Sequence, residues 1–225
     1  AQVVVNDDVA VDGSLYTVGR RGVAGTLFVH KLAGAAAEQG KSLPEIKAIA
    51  EKAVSRIKTL GFAFTSCTVP SKGSPTFEIA DDEMEYGVGI HGEPGIRREK
   101  VISADELAAR MVEALVSELH VQAGAELALL VNGLGGSPVQ ELYILNRSVR
   151  AELARRGLNV DFSLVGNYMT SLEMQGASIT LLHLDEELKA LLHAPCDTPA
   201  WKLTGAPTAA AWFEPKTEEH VSNET

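Results

Sequence analysis

The residues best suited to chemistry lie between positions 89 and 95, where one histidine is surrounded by small residues: Gly89-Ile90-His91-Gly92-Glu93-Pro94-Gly95. Glycines leave an imidazole uncrowded by neighbouring side chains and let the backbone approach a ligand closely. An imidazole with an unperturbed pKa of about 6.5 is largely neutral near pH 7, and its free nitrogen can act as a nucleophile. The stretch therefore fits a histidine that touches a small molecule. A lone histidine among glycines is more often an ordinary loop residue, and spacing alone leaves that alternative open.

Glu93, two residues after His91, has three interpretations. It could orient the imidazole, meet a cation, or cap a turn before Pro94. The sequence does not choose among them.

A second glycine-rich stretch is Val131-Asn132-Gly133-Leu134-Gly135-Gly136-Ser137-Pro138. A strand, a glycine turn and a helix N-terminus in that order can hold a phosphate. The stretch lacks the Gly-Lys-Ser/Thr of a P-loop and the spaced glycines of a dinucleotide fingerprint. A tight strand-to-helix turn is therefore favoured over a ligand site.

The remaining polar groups favour structural interpretations, and no metal site is predicted. Asp7 and Asp8 could bind magnesium, or could simply end a strand. An acidic cluster just before the histidine stretch is typical of a solvated loop, and two arginines before a helix could pair with that loop or with a partner chain. The other histidines show no metal-ligand spacing. The acidic cluster consists of Asp81, Asp82, Glu83 and Glu85, and the two arginines are Arg20 and Arg21. The other histidines are His30, His120, His183, His193 and His220.

Helical periodicity and capping boxes predict the helices that must position these groups. Helices are predicted at 23–39, 42–60, 103–119 and 186–192, and a further helix is predicted to begin at Ser137. Gly61 should end the second of them. The proposed capping boxes pair Ser42 with Glu45, Ser103 with Glu106 and Ser137 with Gln140; the helix after Ser137 should bury Leu142, Leu145, Val149 and Leu153. Glycines in the first helix, Gly25 and Gly34, suggest close packing because glycine otherwise destabilises a helix.

Strands are predicted at 2–5, 62–69, 76–79, 85–90, 125–131, 160–169 and 178–184. The connections between the strands from 62 to 90 are too short for parallel crossovers, whereas the strand-helix-strand units after 125 favour parallel pairing. The continuous apolar run at 125–131 is typical of a central strand covered on both faces. The expected fold class is α/β (an α+β two-layer domain), a six-stranded mixed sheet with helices on it.

Composition excludes several classes of function. The 225 residues carry a formal net charge of −10 with no concentrated basic patch, which disfavours nucleic acid. No apolar run approaches the ~18 residues of a spanning helix, and no signal peptide is visible. Cys67 and Cys196 have no pairing or metal spacing, so a reduced cytoplasmic compartment is expected. The polar composition after Trp201 predicts a linker and disordered tail over 202–225.

Ordered blocks over roughly residues 3 to 201 resemble the substrate-binding subunit of the dihydroxyacetone kinases. They are the histidine stretch itself and Asn6-Asp7-Asp8-Val9-Ala10-Val11, Gly19-Arg20-Arg21-Gly22-Val23-Ala24-Gly25-Thr26, Cys67-Thr68-Val69-Pro70, Leu130 to Pro138, Glu141-Leu142-Tyr143 and Met169-Thr170-Ser171-Leu172. The resemblance implies that His91 is the catalytic histidine that adds a ring nitrogen to the substrate's ketone carbon, giving a covalent hemiaminal. Dihydroxyacetone or a similar short ketose or aldose would be the ligand.

The chain departs from that family in one respect. The resemblance implies an earlier domain with a Gly-Gly-Ser-Gly-His-Glu-Pro loop and a later Gly-Asp, which supply an acid/base histidine and aspartate, and neither pattern occurs here. Residues 1–14 are therefore expected to end a missing preceding domain, residues 15–201 to form the C-terminal domain of the subunit, and residues 202–225 to be the tail.

The resemblance also implies the partners of the chain. The phosphoryl donor would be ATP with Mg²⁺, or an ADP-bearing partner subunit, held by a separate nucleotide-binding domain, with no cofactor on this chain. A homodimer is expected. The kinase would be incomplete without the preceding domain and the nucleotide-binding domain or subunit. The alternative is a non-catalytic ligand-sensing co-activator that binds dihydroxyacetone.

Overall fold

The computed structural model describes residues 1–10, 20–91 and 93–204. The helices are α1 (Thr26–Glu38), α2 (Leu43–Ser55), α3 (Ala104–Leu119), α4 (Val139–Arg155) and α5 (Glu186–His193). The strands are β1 (Ile57–Ala63), β2 (Glu83–Tyr86), β3 (Arg97–Lys100), β4 (Glu126–Gly133), β5 (Asn159–Gly166), β6 (Gly176–His183), β7 (Cys196–Asp197) and β8 (Lys202–Leu203). The tail after residue 204, including His220, lies outside the described residues.

The first six strands form one mixed sheet in the order β3-β2-β1-β6-β4-β5. Strands β4 and β5, joined by α4, are parallel, and the other neighbouring pairs are antiparallel. The predicted six-stranded mixed sheet is therefore confirmed. A separate two-stranded ribbon, β7 with β8, was not predicted.

Strand β4 is buried on both faces, as its apolar sequence predicts. Leu127, Leu129 and Val131 pack into the cluster that contains α3 and α4, whereas Ala128 and Leu130 pack into the cluster that contains α1, α2 and α5. All five side chains are inaccessible to solvent. Helices thus cover both faces of the sheet, so the domain has three layers where two were expected.

Two of the three predicted capping arrangements form. Ser42 and Glu45 make a reciprocal capping box at the start of α2, and the Ser103 hydroxyl accepts the Glu106 backbone N–H at the start of α3. The third prediction is wrong. Ser137 is buried against the start of β6, where its hydroxyl donates to the Gly176 carbonyl and accepts the Gly176 N–H, and Pro138 takes the N-cap position. The apolar positions predicted for α4 are buried: Leu142, Leu145, Val149 and Leu153.

The predicted extension of the second helix to residue 60 is also wrong. Helix α2 ends at Ser55, and β1 pairs with β6 along its whole length. Gly61 lies inside this strand, where a Cβ would come 3.1 Å from the Val88 carbonyl oxygen. The apolar residues have helical spacing, but pairing with β6 places them in a strand instead. They are buried in the interior from that strand as well.

The remaining strand predictions near the histidine stretch are partly wrong. Residues 76–79 form no strand, and the edge strand is β3, which was not predicted. Residues 2–5 form no strand either. The N-terminal segment contributes one parallel bridge, between Asp8 and Thr59 beside β1.

The two glycines of the first helical segment differ in their surroundings. A Cβ at Gly25 would lie 2.4 Å from Ile57 Cγ2 and 2.5 Å from an oxygen of Asp7, so close packing there is confirmed. Apart from its chain neighbours and the backbone of its own helix, a Cβ on Gly34 would meet no described atom within 4 Å, so the prediction of close packing at Gly34 is wrong.

We therefore expect Gly34→Ala to stabilise the protein by roughly 1 kcal/mol, because alanine is the better helix former and the site is open. Gly25→Ala should destabilise it, since the new methyl group overlaps buried neighbours. Urea unfolding of both variants beside the wild-type chain measures the two signs. A lower free energy of unfolding for Gly34→Ala would contradict the assignment.

Within the described part of the chain, no helix has the length and apolar character needed to cross a bilayer.

Candidate functional site

His91 lies in the connection between β2 and the edge strand β3. We call residues 87–96 the histidine loop. The two strands pair antiparallel up to Tyr86 and Arg97, so the loop leaves and re-enters the sheet at one place. The His91 side chain is 77% exposed. Its ring therefore has an open face from which a small molecule could approach.

Backbone hydrogen bonds hold both ends of the histidine loop. The Gly87 N–H donates to the Gly61 carbonyl at 2.7 Å, and the Ile96 N–H donates to the Tyr86 carbonyl at 2.8 Å. At Gly95 a Cβ would lie 2.2 Å from the Tyr86 carbonyl oxygen. Glycine is required at this position because the loop closes directly onto the strand.

Glu85 anchors the same end of the loop from within β2. One carboxylate oxygen accepts the Gly95 N–H at 3.1 Å, and the other pairs with Arg98 Nε at 2.9 Å. The residue is only 5% exposed. The prediction of a solvated acidic loop is therefore wrong for Glu85, although the exposed Asp82 does pair at the surface with Lys100.

Arg21 joins the N-terminal segment to the start of the histidine loop. Its guanidinium binds the Asp8 carboxylate through Nε at 2.7 Å and Nη2 at 2.6 Å, and Nη2 also donates to the Gly87 carbonyl at 2.8 Å. Burial raises the pKa of the Asp8 carboxyl above its ordinary value, and the Arg21 charge opposes that rise. Its neighbour Arg20 pairs with Glu118 of α3 instead. Arg20 and Arg21 thus form ion pairs with Glu118 and Asp8, and pairing with a partner chain stays a prediction.

Glu93 contacts His91 through both of its oxygens. Oε2 accepts the His91 backbone N–H at 2.8 Å, and Oε1 lies 3.4 Å from the ring nitrogen Nδ1. A Cβ at Gly89 would lie 2.3 Å from Glu93 Oε2 and 2.9 Å from Arg21 Nη1. Gly89 therefore lets the carboxylate and the guanidinium approach the same point beside the histidine. Among the three interpretations of Glu93, the backbone bond supports capping of the turn, Arg21 supplies a nearby cation, and the position of Oε1 opposite Nδ1 is compatible with orientation of the imidazole.

Asp7 has a structural role. Its carboxylate accepts the backbone N–H groups of Val23 and Gly25, each at 2.8 Å, and the hydroxyl of Thr59. The residue is fully buried. Asp7 therefore ties the residues just before α1 to β1, which supports the structural interpretation.

The second glycine stretch is filled by protein rather than open to a ligand. Cβ atoms at Gly133, Gly135 and Gly136 would come within 2.0 Å of Asn167 Oδ1, 1.8 Å of the Leu172 carbonyl and 2.3 Å of the Glu173 carbonyl, respectively. The segment 167–173 occupies the space that a phosphate would need. The geometry supports the interpretation as a tight turn.

The described residues also offer no group of three or more His, Cys, Asp or Glu side chains that could hold a metal ion.

The other described histidines serve elsewhere in the fold. His193, in the last turn of α5, lies 2.6 Å from the Asp161 carboxylate. His120 ends α3 in the left-handed conformation, and His30 is exposed on α1.

Two cavities, of about 180 and 610 Å³, are lined by residues other than His91. A ligand at His91 would therefore need walls beyond those that these cavities provide.

Comparison with known proteins identifies close relatives. The family described as "Dak1 domain" matches residues 1–200. The chain is 51% identical over 201 residues to "PTS-dependent dihydroxyacetone kinase 1, dihydroxyacetone-binding subunit DhaK" of Listeria innocua, covering 89% of this chain and 61% of that protein. The chain thus spans about three fifths of the length of that curated relative.

Two solved structures share the fold. "Dihydroxyacetone kinase operon co-activator Dha-DhaQ" superimposes with a TM-score of 0.84 at 37% identity, covering 90% of this chain and 63% of that one. The dihydroxyacetone kinase from C. freundii "in complex with AMP-PNP and Mg2+" superimposes with a TM-score of 0.75 at 30% identity, covering 97% of this chain and 40% of that one.

Proposed function

The chain belongs to the Dak1 domain family, and from that premise we propose that it is the ketone-trapping part of a dihydroxyacetone (glycerone) kinase. His91 would be the catalytic residue. It would bond covalently through a ring nitrogen to the carbonyl carbon of dihydroxyacetone and hold the terminal hydroxyl for phosphorylation to dihydroxyacetone phosphate. The observation that carries the proposal is an exposed imidazole at the centre of a loop whose two ends are fixed to the sheet.

The covalent step gives selectivity that contacts alone supply poorly. Only an aldehyde or ketone carbon can accept the nitrogen, so glycerol, which carries an alcohol there, would not be trapped. Holding the ketone in one orientation also favours phosphoryl transfer, which depends chiefly on positioning.

The remaining parts of the reaction would come from outside the described residues. We propose that residues 15–201 form the C-terminal domain of the subunit, that residues 1–14 lead from a preceding domain with the acid/base groups, and that a tail begins after β8 (Lys202–Leu203), two residues later than the predicted start at 202, because this strand pairs with β7. ATP with Mg²⁺, or an ADP-bearing partner subunit, would act from a separate nucleotide-binding domain. We also propose a homodimer in the cytoplasm.

A second candidate is a non-catalytic co-activator that senses dihydroxyacetone. The observation that supports it is that the solved structures with this fold include a co-activator, at a TM-score of 0.84, as well as a nucleotide-bound kinase, at 0.75. A sensor and a kinase subunit could trap the same ketone on the same histidine, so they differ only in the fate of the trapped ketone.

Native mass spectrometry tests the proposal and separates the two candidates. The chain, supplied with the additional segment that its relatives carry, is expected to gain reversibly the mass of dihydroxyacetone and to gain nothing from glycerol. A nucleotide-binding subunit and its phosphoryl donor are then added. Release of dihydroxyacetone phosphate supports the kinase, and an adduct without product supports the co-activator. If dihydroxyacetone leaves the mass of the protein unchanged, the trapping function is wrong.

A further inference from the structure

Glu93 faces two different groups of His91 with its two oxygens, the backbone N–H and the ring nitrogen Nδ1. Oε2 accepts the backbone N–H at 2.8 Å, so Oε1 is the oxygen left to face Nδ1, at 3.4 Å. An ionised carboxylate can only accept hydrogen bonds. A hydrogen on Nδ1 is therefore favoured. The separation is longer than an ordinary hydrogen bond, as contacts in unliganded sites often are before a ligand tightens them.

The surroundings keep Glu93 ionised. Burial alone would raise the pKa of its carboxyl, but the backbone N–H groups of Glu93 and His91, together with nearby positive charge such as that of Arg21, hold the pKa below its ordinary value. Gly89 leaves room for the carboxylate, since a Cβ there would overlap Oε2. The carboxylate is thus fixed by the backbone on one side and has a cation nearby.

We infer that Glu93 is a positioning residue, which fixes the hydrogen of His91 on Nδ1 and so leaves the lone pair on Nε2 for attack on the ketone. The inference rests on the proposed trapping function. In water the neutral histidine ring prefers its hydrogen on Nε2, which would make that nitrogen unreactive. The contact with Glu93 reverses this preference while the ring stays open to the ligand.

The step is balanced without an oxidant or reductant. The Nε2 lone pair forms the C–N bond, and the carbonyl π pair moves to oxygen, which takes a proton from water. The Nδ1 proton passes to the Glu93 carboxylate, which returns it to the hydroxide left behind. The product is a neutral hemiaminal, and the reverse sequence releases the ketone.

Glu93→Gln provides a sharp test because the amide must turn in one direction. Its oxygen has to accept the His91 backbone N–H, since an NH₂ group cannot, and so its NH₂ group faces Nδ1. That arrangement donates to the Nδ1 lone pair and places the ring hydrogen on Nε2. Glu93→Ala only removes the preference. The expected rates of adduct formation therefore fall in the order wild type, Glu93→Ala, Glu93→Gln, with a loss of about 10-fold and about 100-fold.

Two measurements are made on the chain supplied with the additional segment of its relatives. Nitrogen NMR of the unliganded, isotope-labelled protein at about pH 8 reports which ring nitrogen carries the hydrogen. Native mass spectrometry then follows the dihydroxyacetone adduct over time. Glu78→Gln, at an exposed carboxylate elsewhere, is the matched control and should change neither measurement.

A hydrogen on Nδ1 in the wild type that moves to Nε2 in Glu93→Gln, together with slower trapping, supports the inference. A purely structural role would make Glu93→Ala, which removes more of the side chain, the worse variant. An unchanged tautomer in both variants, or wild-type trapping by Glu93→Gln, overturns the inference. If the tautomer depends on Glu93 but the wild type forms no adduct, the trapping function fails and the contact itself stands.

Discussion

Replacing His91 by alanine is expected to abolish the dihydroxyacetone adduct while leaving the fold intact. The covalent bond cannot form without the imidazole, and apparent affinity for the ketone should fall by about 100-fold or more, equivalent to roughly 3 kcal/mol. Stability should change by less than about 0.5 kcal/mol, because an exposed side chain contributes little to the core. Native mass spectrometry measures the adduct, and urea unfolding measures the free energy of unfolding.

His30→Ala is the matched control for that variant. His30 is also exposed but lies on α1, away from the histidine loop in the chain, so its replacement should leave the adduct unchanged. An alanine variant at position 91 that binds dihydroxyacetone as tightly as the wild type would mean that no bond to this histidine is made. The family membership of the chain would be unaffected.

The largest loss of stability is expected from Arg21→Met. This change leaves the Asp8 carboxylate, in a residue only 1% exposed, without its ion-pair partner, and removes the side-chain donor from the Gly87 carbonyl. Removing one partner of a buried ion pair costs about 3–5 kcal/mol. Urea unfolding near neutral pH measures the loss.

The loss should depend on pH in a defined direction. The pKa of Asp8 in the folded wild type already lies above its ordinary value of 3.8 because burial outweighs the Arg21 charge, and losing that charge raises it further. The folded variant then binds a proton more tightly than the unfolded chain does. The stability of Arg21→Met is therefore greatest below the pKa of Asp8 in the unfolded chain, and it falls as the pH rises through the pKa of Asp8 in the folded variant. The loss of stability relative to the wild type should be smaller at about pH 4.5 than near neutrality.

Two comparisons isolate the buried charge as the cause. Arg20→Met removes a neighbouring arginine whose ion pair with Glu118 is more exposed, and should cost no more than about 1 kcal/mol. Adding Asp8→Asn to Arg21→Met removes the unpaired charge and should recover part of the lost stability. If Arg21→Met costs no more than Arg20→Met at both pH values, the assigned role of the Asp8–Arg21 pair is wrong.

Local sequence signals predict the fold well where they act alone. The apolar run that became β4 and the Ser42 and Ser103 caps each depend on neighbouring residues, and each is confirmed. The predictions failed where contacts between residues far apart in the chain determine the local structure. Residues 57–60 have helical spacing but are held in β1 by pairing with β6, and Ser137 has a capping sequence but bonds to Gly176.

The candidate site divides in the same way. His91 and the possible orienting role of Glu93 are visible in a glycine-rich stretch only a few residues long. The supports of the loop are not visible, because Arg21 lies 66 positions from Gly87 in the chain and Glu85 resembles its solvated acidic neighbours in composition. Alternation does not single out Glu85 either, because it places this side chain on the strand face opposite the buried Met84 and Tyr86, where a solvated carboxylate is expected.

The guanidinium of Arg21 joins two parts of the molecule that the sequence separates widely. It binds residue 8 beside β1 and the backbone of residue 87 at the base of the histidine loop. One side chain therefore fixes the N-terminal segment and the base of the histidine loop relative to each other, so neither can shift without straining the same ion pair and hydrogen bond.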